Sequence, residues 1–118
     1  MTLRVYGYIT NDDVNEQVGL PGGVEVAQTN THEDGRRVDV GTSETTITFD
    51  TNVGNAGYLV LINRDATNFV QIGFATTVYN LRLKAGEVAV LRLEPGVSAI
   101  YCKADTAAIE LQYKLYED

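Results

Sequence analysis

The residues that most often carry out chemistry in proteins are scarce in this chain of 118 residues. His32 is the only histidine and Cys102 the only cysteine, and 70 residues separate them in the sequence. His32 lies in the polar HEDG segment, whereas Cys102 lies in an alternating apolar run that is typical of a buried strand. A Cys–His nucleophile pair is therefore not expected, and no two carboxylates stand out as an acid–base pair. We expect a protein that is not an enzyme.

The numbers of histidine and cysteine residues also argue against a metal site. A structural zinc site needs about four cysteine or histidine ligands, and the chain has two such residues in total. Oxygen ligands cluster in NDDVNE, residues 11–16, but their spacing does not fit a calcium loop of the EF-hand type. The sequence therefore predicts neither a metal site nor a cofactor.

Tyrosines are the more informative polar residues. Tyr58, Tyr79, Tyr101 and Tyr113 fall in phase with the inward positions of predicted strands. Tyr6, Tyr8 and Tyr116 lie near the two ends of the chain, where exposed rings favour contact with another protein. Packing of these three rings within the terminal strands is the alternative.

The elements that must position these residues are short strands separated by turns. From residue 43 to residue 118, alternating apolar runs are divided by turn sequences such as RDATN, KAGE and EPG, and we expect a type II turn at Pro95-Gly96. Tyr58–Ile62 is uninterrupted apolar sequence and is predicted to be the central strand. The pattern predicts an all-β fold, a single antiparallel β-sandwich or jelly-roll-like domain over residues 1–118.

The N-terminal part of the chain is less regular. Residues 10–42 contain seven acidic residues and two arginines, a local charge of −5, and the turn sequences LPGG and HEDG. Strands are possible at Val24–Gln28 and Arg36–Val40, where they could form a hairpin or an extended arm. We therefore expect residues 10–42 to form a loop-rich acidic segment or arm, and residues 43–118 to form the regular core.

Charge and hydropathy indicate which classes of partner the protein is not expected to bind. A net charge of −7 repels phosphate backbones and anionic lipid, so no binding to nucleic acid or to a membrane is expected. The longest apolar run is far shorter than the ~20 residues of a membrane-spanning helix. Because the N-terminus lacks the pattern of a signal peptide, we expect synthesis in a cytoplasm.

Three elements of the C-terminal half resemble those of small virion proteins of tailed bacteriophages. They are NRDATNFVQIG (residues 63–73), LKAGEVA (residues 83–89) and IYCKADTA (residues 100–107), in this order. The resemblance implies a β-sandwich structural protein of the capsid decoration or cement kind, located in the virion. It carries over no catalytic residue.

These observations lead to one preferred function and two alternatives. The preferred function is a non-enzymatic decoration protein that binds the major capsid protein or other virion proteins as a homo-oligomer, a dimer or a trimer. A tail, neck or head-fibre base component is one alternative, and a host-surface carbohydrate-binding module is the other. The residues expected to make protein contacts are Tyr6, Tyr8, Leu20, Arg36, Arg37 and Tyr116.

Overall fold

A computed structural model describes residues 2–11 and 16–118 of the chain. Its described residues form ten β-strands and no helix, so the predicted all-β class is confirmed. The chain divides into two compact units, residues 1–31 and 32–118, which are described separately below. This boundary differs from the one between residues 42 and 43 that the sequence indicated.

The larger unit contains eight strands. They are β3 (Glu33–Val40), β4 (Thr45–Thr48), β5 (Ala56–Asn63), β6 (Val70–Gly73), β7 (Leu81–Leu83), β8 (Val88–Arg92), β9 (Ala99–Ala104) and β10 (Ile109–Glu117). One sheet has the order β3-β10-β5-β8 and the other the order β4-β9-β6-β7, with antiparallel pairing throughout. The first of the eight strands thus pairs with the last and the second with the seventh, which is the strand order of a jelly roll.

The core of this unit lies between the two sheets. Along β10 every second residue is buried, and Leu111, Tyr113 and Leu115 face inward. The same alternation places Leu59 and Leu61 of β5 in the core, while Val60 of that strand faces outward and is half-buried. The predicted central strand is therefore an interior strand of its sheet, hydrogen-bonded to β10 on one side and to β8 on the other.

The motif NRDATN forms a turn held by its own side chains. Asn63 is completely buried and donates hydrogen bonds to the carbonyl oxygens of Asn68 and Leu83, at 2.9 and 3.1 Å. The carboxylate of Asp65 accepts hydrogen bonds from the backbone N–H groups of Thr67 and Asn68, and these bonds hold its pKa below the ordinary value. In this first of the three resembling elements, Asn63 and Asp65 therefore serve the fold of the turn.

The Pro95-Gly96 turn differs from the expectation. The N–H of Val97 donates to the carbonyl of Glu94, which closes a turn over these four residues. Gly96, however, is not among the residues with positive φ, as a type II turn would require. The predicted turn is present, and its predicted type is wrong.

The smaller unit is a hairpin of two long strands, β1 (Thr2–Asn11) and β2 (Glu16–Ala27). Residues 16–27 and 33–40 are strands, although the sequence pattern indicated a largely irregular segment. Residues 24–27 pair with β1, and residues 33–40 pair with β10, so the two expected strands do not form a hairpin with each other. The predicted LPGG turn lies within β2 instead, where the register with β1 shifts opposite Tyr6.

Candidate functional site

The hairpin presents two chemically different faces, which follow from its register. Paired residues on adjacent strands point to the same face, and neighbours along one strand alternate. The pairs Leu3–Val26, Val5–Val24, Gly7–Leu20 and Ile9–Val18 therefore share one face. We call this surface the apolar face; its side chains are Leu3, Val5, Ile9, Val18, Leu20, Val24 and Val26.

Much of the apolar face is open to solvent. Ile9 is 75% exposed, Val18 61% and Leu20 59%, whereas Leu3 and Val5 are half-buried. Four of the seven side chains, Ile9, Val18, Leu20 and Val24, are thus exposed together on one face, and large exposed apolar patches on monomers are often functional. An isolated two-stranded hairpin is marginally stable in water, so a surface of this kind gains most from a partner that covers it.

The opposite surface of the hairpin is called the tyrosine face, defined by Arg4, Tyr6, Tyr8 and Glu25. Tyr6 and Tyr8 are each about half exposed. A side chain at Gly23 would meet the ring of Tyr6, and one at Gly19 would meet Tyr8, so each tyrosine lies beside a glycine of β2. Both glycines have positive φ, which other residues rarely adopt.

Charged groups border these two rings. Arg4 forms an ion pair with Glu25 across the strands and donates a hydrogen bond to the carbonyl of Gly22 at 3.1 Å. The tyrosine face therefore combines aromatic surface with a polar margin. This combination is typical of surfaces that recognise other proteins.

The six residues predicted to make contacts are not brought together. Tyr6 and Tyr8 share the tyrosine face, and Leu20 lies on the apolar face. Arg36, Arg37 and Tyr116 belong to the larger unit, on β3 and β10. The strongly exposed Ile9 and Val18 were missed, although each alternates with polar neighbours in the sequence.

Arg36 and Arg37 point to opposite faces of their sheet. Arg36 pairs with the buried Tyr113, donates a hydrogen bond to its hydroxyl at 2.9 Å and lies over its ring. Arg37 is on the outer face and forms a 3.3 Å ion pair with Glu110. These contacts give Arg36 a role within the sandwich, at the edge of the core.

Tyr116 is half-buried on the outer face of the same sheet. Its ring packs beneath the ammonium group of Lys114, which lies 5.8 Å from the ring centroid. Farther along this outer face, Val88 and Val90 of the edge strand β8 are 60% and 41% exposed. They pair with the half-buried Ile62 and Val60 and form a smaller apolar patch that the sequence pattern did not indicate.

A cleft of about 340 Å³ opens at one end of the sandwich, between the β4–β5 and β8–β9 connections. Its floor includes Phe49 and Leu115, and its polar groups include Asp50, Asn55 and Ser98. The volume falls in the range of small-ligand sites. Asp50 already accepts a hydrogen bond from the N–H of Asn52 through one carboxylate oxygen.

His32 and Cys102 have separate structural surroundings. The Nδ1 atom of His32 lies 3.0 Å from a carboxylate oxygen of Glu117. Cys102 is fully buried, and this burial raises the pKa of its thiol to about 12. Among residues 2–11 and 16–118, no cluster of three or more histidine, cysteine, aspartate or glutamate side chains could hold a metal ion. Of the NDDVNE segment, residues 12–15 lie outside the described residues.

A cluster around Glu44 has shifted pKa values. The Glu44 carboxylate accepts hydrogen bonds from the N–H of Thr77 and the hydroxyls of Thr76 and Tyr79, each at 2.7 Å. These bonds lower the pKa of Glu44, and the bond to Glu44 raises the pKa of Tyr79 to about 12. Because Thr77 has a φ of 59°, the cluster is best explained as an anchor for a strained turn.

Comparisons with known proteins identify no family for the chain. No family model matches the sequence, and no curated protein matches it. A solved structure described as "Bacillus endospore appendages form a novel family of disulfide-linked pili" is similar with a TM-score of 0.44 and 13% identity. The similarity covers 78% of this chain and 94% of that one, and it is too low to indicate a function. In the described part of the chain, no helix is long and apolar enough to cross a membrane.

Proposed function

We propose that this chain is a non-enzymatic structural protein of a tailed-phage virion, a decoration protein that binds the assembled head. The observation that carries the proposal is the tyrosine face, where two half-exposed rings stand beside an arginine–glutamate pair on the hairpin. Tyrosine and arginine dominate the energetics of many protein interfaces. Protein recognition is therefore the activity that this surface supports best.

The fold and the sequence resemblance support the same proposal by analogy. Jelly rolls occur in viral capsid proteins and in lectins, so the strand order is compatible with a capsid role without requiring it. The three elements that resemble phage virion proteins supply turns and strands, such as the Asn63 turn, and the resemblance carries over no catalytic residue. In this proposal the sandwich is the scaffold and the hairpin carries the contact.

The proposal is tested by adding purified protein to particles of the parent phage that lack it. We expect saturable binding at regular lattice positions of the head, measured by co-sedimentation and cryo-electron microscopy. A Tyr6→Ser/Tyr8→Ser variant should lose most of this binding. A Tyr6→Phe/Tyr8→Phe variant keeps both aromatic rings and should bind nearly as well as the wild type.

A Val88→Ser/Val90→Ser variant is the matched control, because it removes two exposed apolar side chains from the sandwich and leaves the hairpin intact. Normal binding of this control is expected. The assignment to the tyrosine face would be overturned if Val88→Ser/Val90→Ser lost binding while Tyr6→Ser/Tyr8→Ser bound fully. Occupancy confined to the tail, the neck or a fibre base would replace the decoration role with one of the alternative virion roles.

A second candidate function, carbohydrate binding, is favoured by the cleft beside Asp50. Its lining includes Asp50, Asn55, Ser98 and the aromatic Phe49, and polar side chains with an aromatic ring suit the binding of a sugar. Retention of the protein on host polysaccharide, reduced by Asp50→Asn and not by the exposed control Asp39→Asn, would support this function. Retention on polysaccharide without binding to particles would exclude the decoration role.

A further inference from the structure

We propose that the apolar face of the hairpin packs against the apolar face of a second copy of this chain. The inference rests on the proposed function and deepens it, because it names the surface that joins copies of the decoration protein into a homo-oligomer. It separates the two surfaces of the hairpin: the apolar face meets another copy, and the tyrosine face remains free for the particle.

The distribution of charge favours a second copy as the occupant. A net charge of −7 makes two copies repel each other over most of their surfaces. Between the Leu3–Val26 and Ile9–Val18 pairs the apolar face carries no charged side chain. Glu16, paired with Asn11, is the last residue of the face in β2 at this end, where it can remain in water at the rim of an interface. Two acidic copies can therefore meet on this face without burying like charges.

Other exposed strands of the molecule fit a second copy less well. Five of the eight residues of the edge strand β3 are charged, as is typical of edges protected against pairing: Glu33, Asp34, Arg36, Arg37 and Asp39. The patch around Val88 and Val90 is smaller than the apolar face, because the residues paired with these two valines are already half-buried. Four of the exposed large apolar side chains, Ile9, Val18, Leu20 and Val24, by contrast share the apolar face of the hairpin.

The apolar content of the face agrees with this assignment. Each partner in a standard interface contributes ~800 Å². The four exposed and three half-buried apolar side chains of this face supply a continuous apolar centre for such an interface. Interfaces between identical subunits are also more apolar than transient ones. The apolar face suits an interface between identical subunits, and the tyrosine face suits a transient interface.

Packing two hairpins face to face also stabilises each hairpin, which has only two strands. Sheets stack about 10 Å apart, so two hairpins form a four-stranded, two-layer structure with the seven apolar side chains of each copy inside. A two-stranded hairpin alone lacks such a core. Ordering of the hairpin and association of the chains are consequently coupled.

The test is sedimentation velocity of the full chain in the absence of particles. We expect the wild type to be a dimer at micromolar concentration. Ile9→Asp/Val18→Asp should convert the oligomer to monomer. Thr10→Asp/Gln17→Asp adds the same charge to a neighbouring pair on the opposite face and should leave the oligomer intact.

Three results would overturn the inference: a monomeric wild type, an Ile9→Asp/Val18→Asp variant that remains oligomeric, or equal dissociation of both aspartate variants. An unchanged thermal transition of the sandwich shows that the variants fold, and Leu20→Ser offers a milder change on the same face. Because no particle is present, failure of this inference is distinguishable from failure of the proposed function. If the wild type is a monomer and still decorates heads, the inferred self-association is wrong and the proposed function stands.

Discussion

The Nδ1 atom of His32 lies 3.0 Å from Oε1 of Glu117, which joins the single histidine of the chain to a carboxylate that is 5% exposed. The other carboxylate oxygen accepts a 2.7 Å hydrogen bond from the N–H of Gly54. The backbone N–H of Glu117 donates in turn to the carbonyl of His32. Glu117 thus ties the end of β10 to the start of β3 and to the β4–β5 connection.

These contacts predict a loss of stability in acid. The hydrogen bond from Gly54, followed by that from His32, lowers the pKa of Glu117 below its ordinary value of 4.5. A carboxylate with a lowered folded-state pKa stabilises the fold above pH 4.5, and this contribution disappears as the pH falls through the folded-state value. Glu117→Gln should therefore be less stable than the wild type at pH 7, with the difference shrinking toward pH 3.

Urea unfolding at several pH values measures this difference. The comparison with Glu117→Gln is necessary because the pKa values of Glu44 and Asp65 are also lowered, so their stabilising contributions are lost in the same acid range. Those two groups are present in both proteins. A difference between wild type and variant that stays constant from pH 7 to pH 3 would contradict the proposed role of the carboxylate charge.

Removing the amide of Asn63 should destabilise the sandwich. Asn63 is completely buried, donates to two backbone carbonyls and accepts a hydrogen bond from the N–H of Asp65 at 2.9 Å. Asn63→Ala leaves these buried groups without their partner, at a cost of about 2–4 kcal/mol in the free energy of unfolding. The exposed control Asn52→Ala should change it by less than about 0.5 kcal/mol. Chemical denaturation of both variants measures these free energies of unfolding. Similar small decreases in the two variants would show that water replaces the amide of Asn63.

Two glycines should respond in opposite ways to replacement by alanine. A methyl group at Gly73 would overlap the backbone carbonyl of Val78, so Gly73→Ala should destabilise the protein by about 1–3 kcal/mol or more. Gly96 has open space around it and no positive φ, so Gly96→Ala should stabilise the protein by about 0.4–1 kcal/mol through the unfolded state. Thermal unfolding of the two variants provides the measurement. A destabilised Gly96→Ala would indicate that this turn needs a left-handed residue after all.

Period-two patterns predicted the buried face of β10, but neither every inward position nor the strand order. Tyr58 and Tyr101, which were expected to face inward, alternate with the buried residues of β5 and β9 and are half-buried on the outer faces of their sheets. The alternation Ile109, Leu111, Tyr113, Leu115 correctly identified the buried face of β10, because each strand has one face against the core. The pairing of β10 with both β3 and β5 joins segments that are far apart in sequence. Such pairing depends on how whole faces pack, which no local pattern specifies.

The hairpin was the harder element to predict, because Gly22 and Gly23 of the LPGG segment were interpreted as a turn signal. Positive φ at Gly19 and Gly23 serves a strand with a register shift as well as it serves a tight turn. The contact between His32 and Glu117 also had no local sign, since 85 residues separate the two. The candidate site was consequently predicted only in part: Tyr6, Tyr8 and Leu20 lie on the hairpin, but Ile9 and Val18 were not identified.

Cys102 should be chemically inert in the folded protein. The side chain is completely buried, and burial, with a smaller effect of Glu44, raises the pKa of the thiol to about 12. Because only the thiolate reacts with disulfide reagents, we expect almost no labelling of the native protein at pH 8 and one thiol per chain in denaturant. Under native conditions the labelling rate should follow the opening of the β4-β9-β6-β7 sheet, in which Cys102 pairs with Thr45 and Ile72. Asn63→Ala, which loosens the same unit, should therefore accelerate labelling, whereas Asn52→Ala should not. Rapid labelling of the wild type would show that this sheet opens without unfolding of the core.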